Sequence, residues 1–334
     1  MAPLLTITEF LAGQLHCEHQ VALTHMLADV VEACKKIAVS IETGALNGNM
    51  GSLDSENVQG EVQKTLDMIA HDIFIATNQH SGYVTAMASE EVAEIIVVSK
   101  NHRQHGDYLL VFDPLDGSSN VNVNISVGSI FSILKSGNKQ AVLADFLQTG
   151  TSQICAGYAL YGTSTMLVFT TGKGVNGFTL DSKVGEFYLT HPSMQIAPDT
   201  QEFAINMSNY RFWQEPVQRY VDECLLGADG IRDKDFNMRW VASMVAEVHR
   251  ILVRGGIFIY PLDTKTPTKA GKLRLMYEAN PMSFIVEQAG GAASTGVQRI
   301  MDIQPSGLHQ RVPVIMGSRN EVERLIEYHQ MNAD

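Results

Sequence analysis

Cationic side chains are scarce in this sequence: 24 lysines and arginines stand against 36 aspartates and glutamates, a net charge of -12. That balance disfavours nucleic acid and anionic membrane surfaces as partners. Lysine and arginine are missing altogether before Lys35, which argues against a secretory signal or a transit peptide. There are four cysteines, Cys17, Cys34, Cys155 and Cys224, with no Cys-x-x-Cys spacing. Reduced thiols in a cytoplasmic protein are therefore expected rather than a disulfide framework. No apolar run approaches the length of a membrane span, and no internal repeat or low-complexity tract stands out. What remains is an ordinary globular composition, 45% hydrophobic and 18% charged over 334 residues. A chain of that length buries a large core, expected here in two lobes.

The most informative segment is Asp113-Pro114-Leu115-Asp116-Gly117-Ser118-Ser119-Asn120. It follows the apolar run Tyr108–Phe112, which reads as a buried strand delivering Asp113 to its carboxyl end. Pro114 fixes its own φ and restricts Asp113, so the turn is stiff. Such a turn can hold both carboxylates and the Leu115 carbonyl at one point. Gly117, Ser118 and Ser119 offer small side chains and successive N–H groups suited to an anion. Hard cations such as Mg²⁺ take oxygen ligands of this kind and share them with phosphate.

Two upstream elements add acids. Val84–Ala88 reads as a short strand followed by Ser89-Glu90-Glu91, an adjacent pair of carboxylates that calls for a cation or open solvent. Leu66–Phe74 has helical apolar spacing interrupted by Asp67 and Asp72, with Asp67 and His71 on neighbouring turns. By themselves these residues equally suit an exposed polar face.

Along the chain, Leu23, Met26, Leu27, Val30, Val31, Cys34, Ile37, Ala38 and Ile41 predict a helix over Val21–Glu42. A polar, Gly-rich loop is expected over Asn47–Gln59. Strands are expected at Val84–Ala88, Glu94–Val98, Tyr108–Asp113, Ser126–Leu134, Gln153–Ala159 and Thr165–Thr171. Helices are expected at Pro216–Cys224, Trp240–Val253 and Lys272–Gln288, with a strand at Gly256–Tyr260. Pro281 should kink the last helix and Gly290-Gly291 end it; Asn320 reads as the N-cap of a helix over Glu321–His329. Gly172–Gly177 matches a dinucleotide fingerprint, but Phe178–Asp181 does not read as a helix, so a hairpin loop is expected. The composition shift at Pro192–Pro198 places a boundary near residue 195, giving lobes 1–195 and 196–334. The fold class read here is α/β (α+β layered), each lobe a sheet covered by helices.

An Asp on a helix, then Ser-Glu-Glu, then Asp-Pro-Leu-Asp-Gly-Ser-Ser resembles the lithium-sensitive, magnesium-dependent phosphatase superfamily. Within it, Gly271–Pro281 is similar to the segment that supplies a sugar-phosphate lysine and a late metal carboxylate in class I fructose-1,6-bisphosphatases. Inositol monophosphatases instead carry a Trp-Asp pair, and neither Trp213 nor Trp240 is followed by Asp. Asn57–Glu61, Ala156–Gly162, Ala246–Arg250 and His309–Arg311 extend the resemblance from about residue 20 to the C-terminus.

The resemblance implies a sugar-phosphatase fold of alternating helix and sheet layers, and hydrolysis of the 1-phosphate of fructose 1,6-bisphosphate in gluconeogenesis or the Calvin cycle. Glu90, Asp113, the Leu115 carbonyl, Asp116 and Glu278 would hold two or three Mg²⁺ ions, with Mn²⁺ as the alternative. Glu91, helped by Asp67 and Asp72, would polarise the attacking water. Asp116, Gly117, Ser118, Ser119, Asn206, Trp240, Phe258, Tyr260, Lys272 and Arg274 would contact the sugar phosphate. Arg239 would reach a neighbouring subunit's site, which implies a homotetramer. Trp240 and Phe258 stand where relatives usually carry tyrosine, so sedoheptulose 1,7-bisphosphate is the alternative substrate. Inositol phosphates and nucleotide 3′-phosphates rank behind it. AMP-inhibited relatives use a Thr-Gly-Glu stretch and a Lys-Tyr pair; here stand Gln20–Thr24 and Asp107-Tyr108, which implies weak or absent AMP inhibition.

Overall fold

The apolar spacing of the first long helix finds its counterpart directly. In the computed structural model, which describes residues 4–13, 18–44, 46–49, 52–56, 62–102, 107–138, 140–265 and 270–332, a short helix α1 (Ile7–Ala12) precedes α2 (Glu18–Glu42). Met26, Leu27, Val30, Cys34 and Ile37 of α2 are all buried, as a stripe at 3–4 spacing requires. A ribbon of β1 (Ser52–Glu56) and β2 (Val62–Lys64) follows, so part of the expected loop is strand; Asn57–Glu61 lies outside the described residues. Then comes α3 (Thr65–Asn78).

The main sheet holds β3 (Val84–Ser89), β4 (Ile96–Val97), β5 (Tyr108–Asp116), β6 (Val127–Lys135), β7 (Cys155–Tyr161), β8 (Thr165–Thr170), β9 (Val175–Asp181) and β10 (Glu186–Met194). Its order is β10-β9-β8-β7-β6-β5-β3-β4. Only β3 and β5 run parallel; the other neighbours are antiparallel. The turn helix α4 (Leu143–Phe146) connects β6 to β7. Gly172 and Gly174, with φ of 81° and 87°, turn the β8–β9 hairpin where the fingerprint-like glycines lie.

Beyond Met194 the chain builds a five-stranded sheet from β11 (Glu202–Ala204), β12 (Asn237–Met238), β13 (Ile257–Tyr260), β15 (Ala292–Ser294) and β17 (Val314–Gly317), ordered β12-β11-β13-β17-β15. A separate pair joins β14 (Leu273–Arg274) to β16 (Arg311–Val312). Four helices accompany them: α5 (Glu215–Leu226), α6 (Met244–Arg254), α7 (Asn280–Gln288) and α8 (Arg319–Met331). Alternate residues of the main sheet feed two different cores. Phe131, Ile133 and Cys155 pack with α2 and α3, whereas Ile130, Ala156, Tyr158 and Val168 pack with α6 and α7. The sheet is thus covered on both faces, a mixed α+β layering.

Three expected helices differ. Trp240–Val253 becomes helical only from Met244, because Ser243 is its N-cap and its hydroxyl accepts Ala246 N–H. Lys272–Gln288 splits into β14, a π-turn over Leu275–Ala279 and α7. Pro281 cannot donate to an i−4 carbonyl, and Asn280 N–H donates instead to Leu275 O, five residues back. The closing helix starts two residues earlier than expected, with Ser318 in the N-cap position. Asn320 instead donates its side-chain amide to Asp199.

Candidate active site

The one parallel strand pair of the main sheet, β3 and β5, ends where the acids collect. β3 delivers Ser89, with Glu90 and Glu91 directly after it. β5 delivers Asp113 and continues through Pro114 to Asp116, further than the sequence suggested. Residues three apart on a regular strand face opposite sides of a sheet. Here Asp113 pairs with Ile130 and Asp116 with Gly128, so two residues of β5, Pro114 and Leu115, oppose Ser129 alone. This β-bulge restores the parity and puts both carboxylates on the same face. The π-turn brings Glu278 to them. Ligand-type oxygens of Asp113, Asp116 and Glu278 lie within 4.8 Å of one another, and all three residues are buried.

Helix α6 completes the nest. Ser243 Oγ donates to Asp116 Oδ2 at 2.7 Å and Val245 N–H donates to the same oxygen at 2.9 Å, so a helix N-terminus faces the carboxylate. Close approach needs two glycines. A Cβ at Gly128 would stand 2.5 Å from Val245 Cγ1, and one at Gly117, whose φ is 76°, would stand 2.7 Å from Ser243 Cβ. Just upstream, Val241 N–H donates to Glu247 Oε1 at 2.6 Å and Val241 C=O accepts Asn120 Nδ2 at 2.9 Å. Ala242 sits in the left-handed region at φ 61°.

These elements surround a cavity of about 410 Å³. Its acidic wall contains Asp67, Glu90, Glu91, Asp113, Asp116 and Glu278, and its cations are Lys272 and Arg274. Gly117, Ser118 and Ser119 form one rim, with Leu115 below. Asn206, Trp240, Phe258 and Tyr260 also line the cavity. Trp240 and Phe258 stack nearly parallel, 6.1 Å apart and inclined by 8°, and Lys272 Nζ lies 5.7 Å from the Tyr260 ring centroid. Arg274 pairs with Glu90 and lies 3.8 Å from Glu278. Glu278 Oε2 also accepts the Arg274 N–H at 2.6 Å.

The electrostatics follow from crowding acids out of water. Burial raises the Asp113 carboxyl well above its ordinary range, and the charges of Glu90, Glu278 and Asp116 raise it further against the pull of Arg274. Burial pushes Glu278 up to about 7, opposed by Arg274. Asp116 is raised by burial too, with the Val245 N–H and Ser243 hydroxyl holding it back. Hard oxygen donors crowded together beside two cationic side chains fit divalent cations, which supply the missing positive charge. Behind β3, His71 Nδ1 lies 2.8 Å from Ser89 Oγ, and burial lowers the His71 pKa.

Two of the residues singled out in the sequence lie outside the cavity lining. Asp72 is on the exposed side of α3; five residues from Asp67, it is about 140° around the helix, whereas Asp67 is buried at the site. Arg239 is half exposed and stands 3.7 Å from Glu202. Ala242, Ser243, Met244 and Leu273 line the cavity without having been singled out. Ser243 was recoverable as a helix N-cap, a serine just before the apolar Met244-Val245.

The cavity thus combines a cluster of acids, a Gly-Ser-Ser segment, three aromatic rings and a lysine. Comparisons with known proteins identify the family. Residues 5–192 match the family described as fructose-1-6-bisphosphatase, N-terminal domain, and residues 196–330 its C-terminal domain. A class 1 fructose-1,6-bisphosphatase of Methylobacillus flagellatus is 60% identical, covering 98% of each chain. The crystal structure of Leishmania major fructose-1,6-bisphosphatase in holo form is 36% identical with a TM-score of 0.92, over 98% of this chain and 99% of that one. The T-state structure of the same enzyme is 35% identical with a TM-score of 0.87, over 99% and 100%. The chain belongs to the class 1 fructose-1,6-bisphosphatase family. Among the described residues no helix is long and apolar enough to cross a membrane.

Proposed function

We propose that this protein is a phosphoric monoester hydrolase that converts fructose 1,6-bisphosphate and water to fructose 6-phosphate and inorganic phosphate. The observation that carries the reading is the convergence of Asp113, Asp116 and Glu278 oxygens within 4.8 Å, in one cavity with Gly117–Ser119, Tyr260 and Lys272. Glu90, Asp113, the Leu115 carbonyl, Asp116 and Glu278 would hold the divalent cations, with Mg²⁺ favoured by the all-oxygen donor set. Bound there, such cations supply Lewis-acid stabilisation of the attacking and leaving oxygens.

The chain's own residues account for the rest. Glu91, with Asp67 alongside, accepts a proton from the attacking water. Water oxygen bonds to phosphorus, the bond from phosphorus to the C1 oxygen breaks, and that oxygen takes a proton from solvent while Glu91 returns its own to solvent. The rim N–H groups of Gly117–Ser119 orient the 1-phosphate, and Ser243 with the α6 amides keeps Asp116 in place. Asn206, Tyr260 and Lys272 grip the distal phosphate, with Trp240 and Phe258 bounding the sugar. Arg274 neutralises Glu90 and Glu278. Asp72 is dropped from the water-activating group because of its exposed position. Residues 1–195 supply most of the acids and 196–334 most of the sugar-phosphate contacts, with Glu278 as the exception.

A homotetramer in a bacterial-type cytoplasm fits the exposed Arg239 and the buried thiols of Cys34, Cys155 and Cys224, with gluconeogenesis as the pathway context. The stacked Trp240–Phe258 wall, which lacks a hydroxyl, keeps sedoheptulose 1,7-bisphosphate as the second substrate reading. The deciding experiment is phosphate release from six- and seven-carbon sugar bisphosphates with and without Mg²⁺. Mg²⁺-dependent release from the six-carbon substrate is expected; no release from either would sink the reading. Half-inhibition by submillimolar AMP in the same assay would contradict the weak AMP response implied by Asp107.

A further inference from the structure

The β5 bulge leaves Pro114 without a ladder partner, since a bulged residue drops out of the pairing and proline has no N–H. Its carbonyl accepts instead a side-chain bond: Ser129 Oγ donates to Pro114 O at 2.7 Å. Ser129 Oγ also lies 2.8 Å from the Tyr161 hydroxyl. Each hydroxyl carries one proton and a carbonyl carries none, so the direction is fixed. The Ser129 proton lies on Pro114 O, and the Tyr161 O–H therefore donates to Ser129 Oγ. Cys34 on α2 is the other hydrogen-bonding neighbour of Tyr161. Burial pushes that thiol up to about 12, so it keeps its proton. All three side chains are buried on the α2 face of the sheet, and none lines the cavity.

We propose that Ser129, oriented by Tyr161, is a positioning residue for the divalent-cation site, acting through the Pro114–Leu115 peptide. That peptide is held at both ends, its C=O by Ser129 and its N–H by Asp113 Oδ1 at 3.0 Å. With its plane fixed, only the two backbone dihedrals of Leu115 remain to set the direction of the Leu115 carbonyl and the path to Asp116. The inference rests on the reading that Asp113, Leu115 and Asp116 hold cations.

The test is Mn²⁺ binding to the full chain without substrate, by electron paramagnetic resonance and calorimetry, together with the Mg²⁺ dependence of phosphate release. Ser129→Ala should weaken Mn²⁺ binding about ten-fold, the scale of one buried hydrogen bond, with a smaller change in kcat at saturating metal. Ser129→Thr should restore binding to within about two-fold of the wild type, because the hydroxyl returns. Tyr161→Phe should weaken it about two- to three-fold, since Ser129 keeps its bond to Pro114. Equal affinity in folded Ser129→Ala and wild type, or equal weakening in the Ala and Thr variants, overturns the positioning role. If the Ala variant does not fold, an unchanged affinity in Tyr161→Phe overturns it instead. A wild type that binds no Mn²⁺ would strike the underlying cation reading, a distinct outcome.

Discussion

Glu202, Glu247 and Glu321 are buried as deeply as Asp113, Asp116 and Glu278, yet the two sets are neutralised differently. Glu202 receives Arg250 at 2.6 Å, Arg254, and Arg239 at 3.7 Å. Glu247 accepts Arg250 at 3.1 Å as well as the Val241 N–H. Glu321 accepts Arg232 at 2.5 Å and the Tyr220 hydroxyl, with Lys234 3.7 Å away. At the cavity, Arg274 serves Glu90 and Glu278 together, while the charges of Glu90, Glu278 and Asp116 all bear on the buried Asp113. Acids that fold with their own guanidinium groups are architecture. Acids that fold against each other keep a demand for positive charge, which solution must meet.

Substitutions should separate the two sets. The largest effect is expected at the cavity: Glu91→Gln should cut phosphate release by about 10²–10⁴-fold while circular dichroism and Tm stay near wild type. Near-normal turnover would remove Glu91 from the mechanism. In the matched set the loss should fall on stability instead. Arg232→Met leaves Glu321 buried without its main partner and should cost about 3 kcal/mol in denaturant unfolding, with kcat per folded molecule little changed.

A third expectation concerns pH. The folded pKa of Glu278 is about 7 against an ordinary 4.5, and Asp113 moves in the same direction. Between those values the native state binds more protons than the unfolded chain, so metal-free stability falls as pH rises through the window. Tm in EDTA should therefore decline from about pH 4.5 to about pH 7, and saturating Mg²⁺ should remove the decline. A Tm in EDTA that climbs across that range would contradict the unmatched reading. The smallest effect belongs to an exposed pair outside both sets. Arg299 and Asp302 lie 2.8 Å apart with both side chains about half exposed, and Asp302→Ala should change stability by less than about 1 kcal/mol.

How much of this was legible in the sequence depended on how local each cause was. The octet Asp113–Asn120 and the Ser89-Glu90-Glu91 turn carry their chemistry within a few residues, and both arrive at the cavity. The helical stripe of α2 was equally plain, since one periodic face meets one core. The bulge was not readable, because Ser129, the single residue that Pro114 and Leu115 together oppose, belongs to the partner strand. Lys272–Gln288 misled because Leu273-Arg274 pairs with Val312-Arg311 nearly forty positions away, a tertiary contact that overrides helical spacing. Asp72 shared a helix with Asp67 but not its face. Arg239 lies near the site in sequence, while its side chain points to Glu202 on β11.

The Val241 peptide is gripped from both sides, by Asn120 of the cradle and Glu247 of α6. The segment bearing Trp240 and Ser243 therefore has little slack left to lose when a sugar docks against it. Association should be correspondingly light in ordering entropy, so that affinity is governed by how well a ligand matches a wall already set.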